Sequence, residues 1–304
     1  MKIFLKYASI ILIFFSCKKE KEAYLSSDQL VEVLGPKEKG VFDSINVPLN
    51  IKEEVKSISS LNYFDTGVIG KGNPDIESVS PFSEFEKLKI KADIKELYRL
   101  TFNKNLAVSL YSSIAVAEKI PNLAPVFYSR LLNVKQKIYS ENGCLVGDLN
   151  PSEIFYNEYL RKVDENQERT DLILQKLDSI SIYSKNTTTY VLNQALRHRI
   201  YPESFQDRLE ELAFAEENPY TLLYLSRNFR ERYKNRLEKS IVVYLKKVVN
   251  EQYSDYSKNK LTVELMKFKN PDNKDLIERL SKNNSILRVD EEDKQLKKSN
   301  GITN

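Results

Sequence analysis

The chain has 304 residues, 30% of them charged, and a formal net charge of +4 at neutral pH. So small a basic excess excludes a dedicated nucleic-acid binder, which concentrates positive charge on one face. A single histidine excludes a multi-histidine metal site, and eight glycines include no phosphate-loop spacing.

The first residues have three parts. Lys2 and Lys6 are basic, Tyr7 to Phe15 are apolar or small, and Ser16-Cys17 precede an abrupt charged run, Lys18-Lys19-Glu20-Lys21-Glu22. That is the layout of a secretory signal, and the apolar run is well short of the ~20 residues that span a bilayer. Ser16-Cys17 resembles the lipobox of bacterial lipoproteins, in the looser form, here with Phe14 and Phe15, familiar from Bacteroidetes-type proteins. The resemblance implies removal of residues 1–16 as a signal peptide and lipid attachment at Cys17. Two acyl chains suffice for stable anchoring. The membrane is then the first expected partner, and the location is the cell envelope, with the outer membrane favoured and its face open. Processing leaves 288 residues and a formal charge of +2, because Lys2 and Lys6 are lost. The charged run reads as a solvated tether, and it also resembles the surface-export signals of Bacteroidetes lipoproteins. With Cys17 acylated, Cys144 has no partner in the chain and reads as a buried structural thiol.

Residues 17–80 read as that tether followed by an irregular segment with short helices. Ser26-x-x-Gln29 resembles a capping box before Leu30, Val31, Val33 and Leu34, and Gly35-Pro36 closes it. Asn50 caps a second short helix with Ile51, Val55 and Ile58 on one face. Gly67, Gly70, Gly72 and Pro74 make a loop. From Ser80-Pro81 the pattern is regular, and 81–282 is read as one helical domain. Phe82, Phe85 and Leu88 form a first stripe. Asp93 and Glu96 form a capping box, with Ile94, Leu97 and Tyr98 inward. Leu106 to Ile120 is the clearest helix: Leu106, Leu110, Ile114 and Ala117 share the buried face, and Ser109 and Ser113 lie opposite. Leu123, Val126, Phe127 and Leu131 continue as its partner.

Further helices follow with Leu172, Ile173, Leu177 and Ile180, and then with Tyr190, Val191, Leu192 and Leu196. Tyr201-Pro202 starts one carrying Phe205, Leu209, Leu212 and Ala213. Asn218-Pro219 starts another with Leu222, Leu223 and Leu225. Leu237, Ile241, Tyr244, Leu245 and Val248 form a long amphipathic helix, and Leu261–Met266 and Asp275–Leu280 shorter ones. Residues 283–304 lack apolar surface and are predicted to be a disordered charged tail.

Antiparallel helices joined by short turns predict an all-α fold of the α-solenoid kind. Glu96 to Thr101 followed by Ala115-Val116-Ala117 resembles one HEAT-type helical pair. Glu211-Leu212-Ala213 through Tyr220 to Leu225 resembles a degenerate second copy. Such a pair with a following Gly143-Cys144 is also similar to uncharacterised Bacteroidetes proteins. A non-repetitive helical bundle is the alternative architecture.

Chemistry-bearing residues are few. His198, between Arg197 and Arg199, lacks a Gly-x-Ser-x-Gly nucleophile partner anywhere in the chain. No cofactor is expected. Arg227, Arg230, Arg232, Lys234 and Arg236 cluster in sequence as a candidate partner-binding patch, which also fits a solvated helix face. Asp43-Ser44-Ile45 and Asp178-Ser179-Ile180 resemble the O-glycosylation triplet of exported Bacteroidetes proteins, with Ser44 the better acceptor. The expected function is a non-catalytic protein-interaction module on a lipid anchor, because stacked helices present extended surfaces. The alternatives are an envelope glycan or peptide hydrolase with paired carboxylates, and a membrane-anchored immunity-type inhibitor.

Overall fold

The computed structural model describes residues 42–300 apart from 46, 68–79, 144, 198, 251–255, 283–294 and 297. Cys17, the Ser26 capping box, Cys144, His198 and most of the predicted tail therefore lie outside the described residues. Residues 40–304 form one unit, and it is mostly helical, as its apolar periodicity predicts. It also contains a small sheet that the sequence pattern does not announce.

The first helix is α1 (Lys52–Leu61), entered through a 3₁₀ turn at Leu49–Ile51 rather than capped by Asn50. Its stripe is the one the spacing predicts, since Ile51, Val55 and Ile58 are fully buried. Asn62 ends it in the left-handed conformation, φ 51°, which asparagine tolerates at such caps. β1 (Phe64–Asp65) follows, and Gly67 then turns at φ 70°. A Cβ on Gly67 would lie 2.4 Å from the Phe82 ring, so only glycine fits.

Helices α2 (Pro81–Lys91) and α3 (Ile94–Leu100) both begin with reciprocal capping boxes, Ser80 with Ser83 and Asp93 with Glu96. α4 (Leu106–Lys119) starts at Asn105, whose side chain accepts from Val108 N–H at 3.1 Å, and α5 (Ala124–Leu131) follows. The predicted facing of α4 requires correction. Residues 107–117 are all buried, including the serines expected on an outer face. Ser109 Oγ donates to the Thr101 carbonyl at 2.6 Å and Ser113 Oγ to the Ser109 carbonyl at 2.7 Å. α4 is thus a central helix packed on every side, and the Ser109 and Ser113 hydroxyls are satisfied by backbone carbonyls, while that of buried Ser112 has no hydrogen-bond partner among the described residues. Tyr98, read as inward, is 43% exposed, and Val126 of the partner helix is 60% exposed.

β2 (Ile138–Asn142) and β3 (Leu145–Leu149) form an antiparallel hairpin with Ile138 opposite Leu149. Gly143 takes φ 59° at its turn, as tight hairpins demand. β1 joins β2 in parallel, Phe64 opposite Ser140, giving the order β1-β2-β3. Tyr111 of α4 fastens β1 to the helices: its hydroxyl donates to the Asp65 carbonyl at 2.9 Å and accepts from Asp65 N–H at 2.7 Å. The first apolar core runs from Ile51 to Val191 and takes in α1 and β1, so it begins well before Ser80.

The second core runs from Ile182 to Leu280. α6 (Pro151–Lys162), α7 (Leu172–Tyr183) and α8 (Thr189–Arg197) lead into it. α7 presents Leu174, Leu177, Asp178 and Ser181 inward, while Leu172, in the apolar series of this helix, is 70% exposed. Tyr190 on α8 is likewise 47% exposed. After a 3₁₀ turn at Glu203–Phe205, α9 (Gln206–Glu210) widens into one π turn, Glu211–Ala215. α10 (Pro219–Asn228) is capped by the Asn218 side chain and packs against α8 and against the two helices that follow it. α11 (Arg230–Val248) is kinked at Tyr233, where φ is −116° and ψ 18°. α12 (Tyr256–Met266) and α13 (Lys274–Lys282) complete the unit. Within 283–304 the described residues 295–296 and 298–299 are helical, and the Asn300 side chain donates to the Met266 carbonyl at 3.0 Å.

An arginine-walled cleft as the candidate functional site

α8 and α10 lie side by side, and each carries an arginine in its last turn, Arg197 and Arg227. Helix C-termini favour cations there, because their carbonyls leave partial negative charge. The loop after α8 adds Arg199, and the turn before α7 adds Arg169. Together they wall a cleft of about 660 Å³. Asn193 and Asn228 add amides. Leu196, Ile200, Leu223, Tyr220, Tyr224 and Tyr256 supply apolar and aromatic surface, and among the described residues no carboxylate lines it. Its volume lies within the ~300–1,000 Å³ typical of ligand sites.

The four arginines differ. Arg169, Arg197 and Arg227 are exposed and form no ion pair with any described residue. Arg199 is nearly buried, 11% exposed at its side chain, and lies 2.8 Å from Asp178 Oδ2. It donates to the Glu168 carbonyl at 2.8 Å and to the Arg169 carbonyl at 3.4 Å, and its buried Nε has no hydrogen-bond partner. Asp178, fully buried on α7, accepts from Tyr156 Oη at 2.6 Å. Burial raises its carboxyl to about pKa 7, against the lowering effects of Tyr156 and Arg199. Tyr201 closes this cluster: its hydroxyl donates to the Ala195 carbonyl at 2.6 Å, and its N–H donates to Tyr224 Oη at 2.8 Å. Arg199 is therefore held in place, while Arg169, Arg197 and Arg227 have no ion pair among the described residues.

The sequence-adjacent basic cluster does not come together as a group of unpaired charges. Arg230 pairs with buried Glu264 and lies over the Phe268 ring. Arg232 pairs with Glu203 at 2.8 Å, and Arg236 with Glu210 at 2.8 Å over the Phe214 ring. Lys234 is exposed. Of that cluster only Arg227 joins the cleft. The residues missed were Arg169, Arg197 and Arg199, which are spread over thirty positions and converge only through the packing of α7, α8 and α10.

A second concavity of about 250 Å³ contains Glu118, Glu158 and Asp171. Glu158 pairs with Arg161 at 2.6 Å, Glu118 with Lys89 and Lys162, and Asp171 caps α7 through Leu174 N–H at 2.6 Å. These carboxylates hold the fold together. Among the described residues, no three His, Cys, Asp or Glu side chains are grouped to hold a metal, and no helix is long and apolar enough to cross a membrane. Ser44 is exposed in a turn that Asp43 fixes by accepting from Ile45 N–H at 3.1 Å and Lys104 N–H at 3.0 Å. Ser179 lies inside α7 with its hydroxyl on the Gln175 carbonyl at 2.7 Å. No family model, curated protein or solved structure matches the chain.

Proposed function

We propose that this chain is a lipid-anchored cell-envelope protein, attached through Cys17, whose helical body binds an anionic group of an envelope partner. The observation that carries the binding role is the cleft of Arg169, Arg197, Arg199 and Arg227, a concavity lined by four arginines and, among the described residues, by no carboxylate. Guanidinium groups donate hydrogen bonds and never accept them, so the surface is suited to oxyanions. The anchor rests on the basic, apolar and Ser16-Cys17 order of the first residues. We read the body as a degenerate HEAT-like stack. Support comes from the packing of α3 on α4, of α7 on α8, and of the π turn on α10, the last being the second copy suggested by sequence.

Two measurements test the reading. Labelling with a fatty-acid analogue should mark the wild type and not Cys17→Ser, and equal labelling would end the lipid assignment. Photo-crosslinking from a probe residue at Asn193 should trap an envelope component. The same trap persisting undiminished when Arg169, Arg197 and Arg227 are all changed to Gln would remove the cleft from the account.

A further inference from the structure

We infer that the ligand of the arginine cleft is a phosphate-bearing molecule with an apolar or ring-shaped body. This rests on the anion-binding reading above and narrows it.

Charge is the first argument. Three arginines with no ion pair among the described residues, and a fourth shared with Asp178, wall one concavity of about 660 Å³. A carboxylate brings one negative charge and is satisfied by one bidentate arginine. A phosphomonoester brings about −1.5 to −2 and three acceptor oxygens, which matches several converging forks. Shape is the second argument. An acidic protein face is met by a flat surface, whereas this site is concave and of small-ligand size. The lining is the third. Leu196, Ile200 and Leu223, with Tyr220, Tyr224 and Tyr256, give the walls an apolar and aromatic part, which a bare ion would leave empty. Arg199 is already oriented by Asp178 and by two backbone carbonyls, so the ordering cost of at least one donor is met before the ligand arrives. A lipid headgroup and a soluble phosphate ester share this chemistry.

The test uses the full chain in detergent and calorimetric titration at about 0.1 M salt, where screening still permits contact pairs. The probes are fructose 1,6-bisphosphate, inorganic phosphate, succinate and poly-glutamate, with co-sedimentation on phosphatidic acid vesicles as a separate arm. Two variants are compared with the wild type. The first is the triple change Arg169→Gln, Arg197→Gln and Arg227→Gln, which spares Arg199 and so leaves Asp178 paired. The second is Lys234→Gln, an exposed cation outside the cleft. The proposal expects the bisphosphate or the vesicles to bind at least ten-fold more tightly than succinate or poly-glutamate. It expects a loss of ten-fold or more in the triple variant and none in Lys234→Gln. Binding to vesicles alone assigns a headgroup, and binding to the sugar phosphate assigns a soluble ester. Arginine-dependent binding of poly-glutamate in preference to phosphates overturns the phosphate assignment and leaves the anion cleft standing. No binding of any anion, or equal binding by the triple variant, overturns both.

Discussion

Asp178 offers a perturbation whose size follows from its surroundings. It is fully buried, beside Tyr156 and Arg199, and its carboxyl is raised from 3.8 to about 7. In the unfolded chain an aspartate is ionised above about pH 4. The folded state therefore holds a proton between about pH 4 and pH 7 that the unfolded state has released. Stability falls as pH rises through that window and levels off above the folded value. At 1.36 kcal/mol per pH unit, raising the pH from about 5 to about 8 removes roughly 2–3 kcal/mol. Asp178→Asn keeps an oxygen for the Tyr156 hydroxyl and abolishes the titration. Urea unfolding at the two pH values is the assay. Wild type should lose about 2–3 kcal/mol more than the variant across the interval. Other titrating groups, including Glu153, whose carboxyl burial also raises, remain in both proteins and cancel. Parallel pH profiles would show that Arg199 holds Asp178 ionised throughout, and the burial argument would fail.

Four further substitutions have defined outcomes. Leu110→Ala, at a fully buried position, should cost about 2–5 kcal/mol and lower Tm by roughly 5–15 °C. Leu172→Ala, at a 70% exposed position on α7, should stay within about 0.5 kcal/mol of wild type, and equal melting of the two would undo the packing described. Ser109→Ala removes a buried hydroxyl that donates to the Thr101 carbonyl, so it should cost about 1 kcal/mol in thermal or chemical unfolding. Gly67→Ala should destabilise the junction of β1 and α2, because its Cβ meets the Phe82 ring and its φ is positive; hydrogen exchange at Asp65 and Thr66 should rise.

The parts legible in the sequence are those fixed locally. Asp93 with Glu96, and Asn218 before Pro219, mark helix starts because a cap needs only residues within one turn. What could not be read depends on partners far along the chain. β1 is two residues long and pairs with a strand more than seventy positions away, so alternation within Phe64-Asp65 carries no signal. The serines of α4 look solvent-facing until the helix is surrounded, with Arg130 reaching Ser113 Oγ at 3.1 Å. Asp178 looks like a surface triplet and is a core acid, because only the fold brings Tyr156 and Arg199 to it. The same holds for the candidate site. Adjacency in sequence pointed to Arg227 through Arg236, but Glu203, Glu210 and Glu264 pair three of those residues.

That difference between paired and unpaired arginines yields a contrast in stability. Arg230 meets Glu264, whose side chain is 4% exposed and keeps only Lys267 at 2.9 Å once Arg230 is gone. Arg230→Gln should therefore cost about 1–3 kcal/mol, the penalty for a buried acceptor deprived of its charged donor. Arg227 has no ion pair with a described residue and shares the cleft with three other arginines. Removing it relieves like-charge repulsion and gives up a favourable position at the end of α10, two terms of a few tenths of a kcal/mol that oppose each other. Arg227→Gln should accordingly leave unfolding within about 0.5 kcal/mol of wild type, or slightly raise its stability. A residue retained for the fold behaves like Arg230, and one retained for a ligand behaves like Arg227. Substantial destabilisation by Arg227→Gln in ligand-free protein would show that the cleft cations serve the fold, and the case for an anionic ligand would lose its footing.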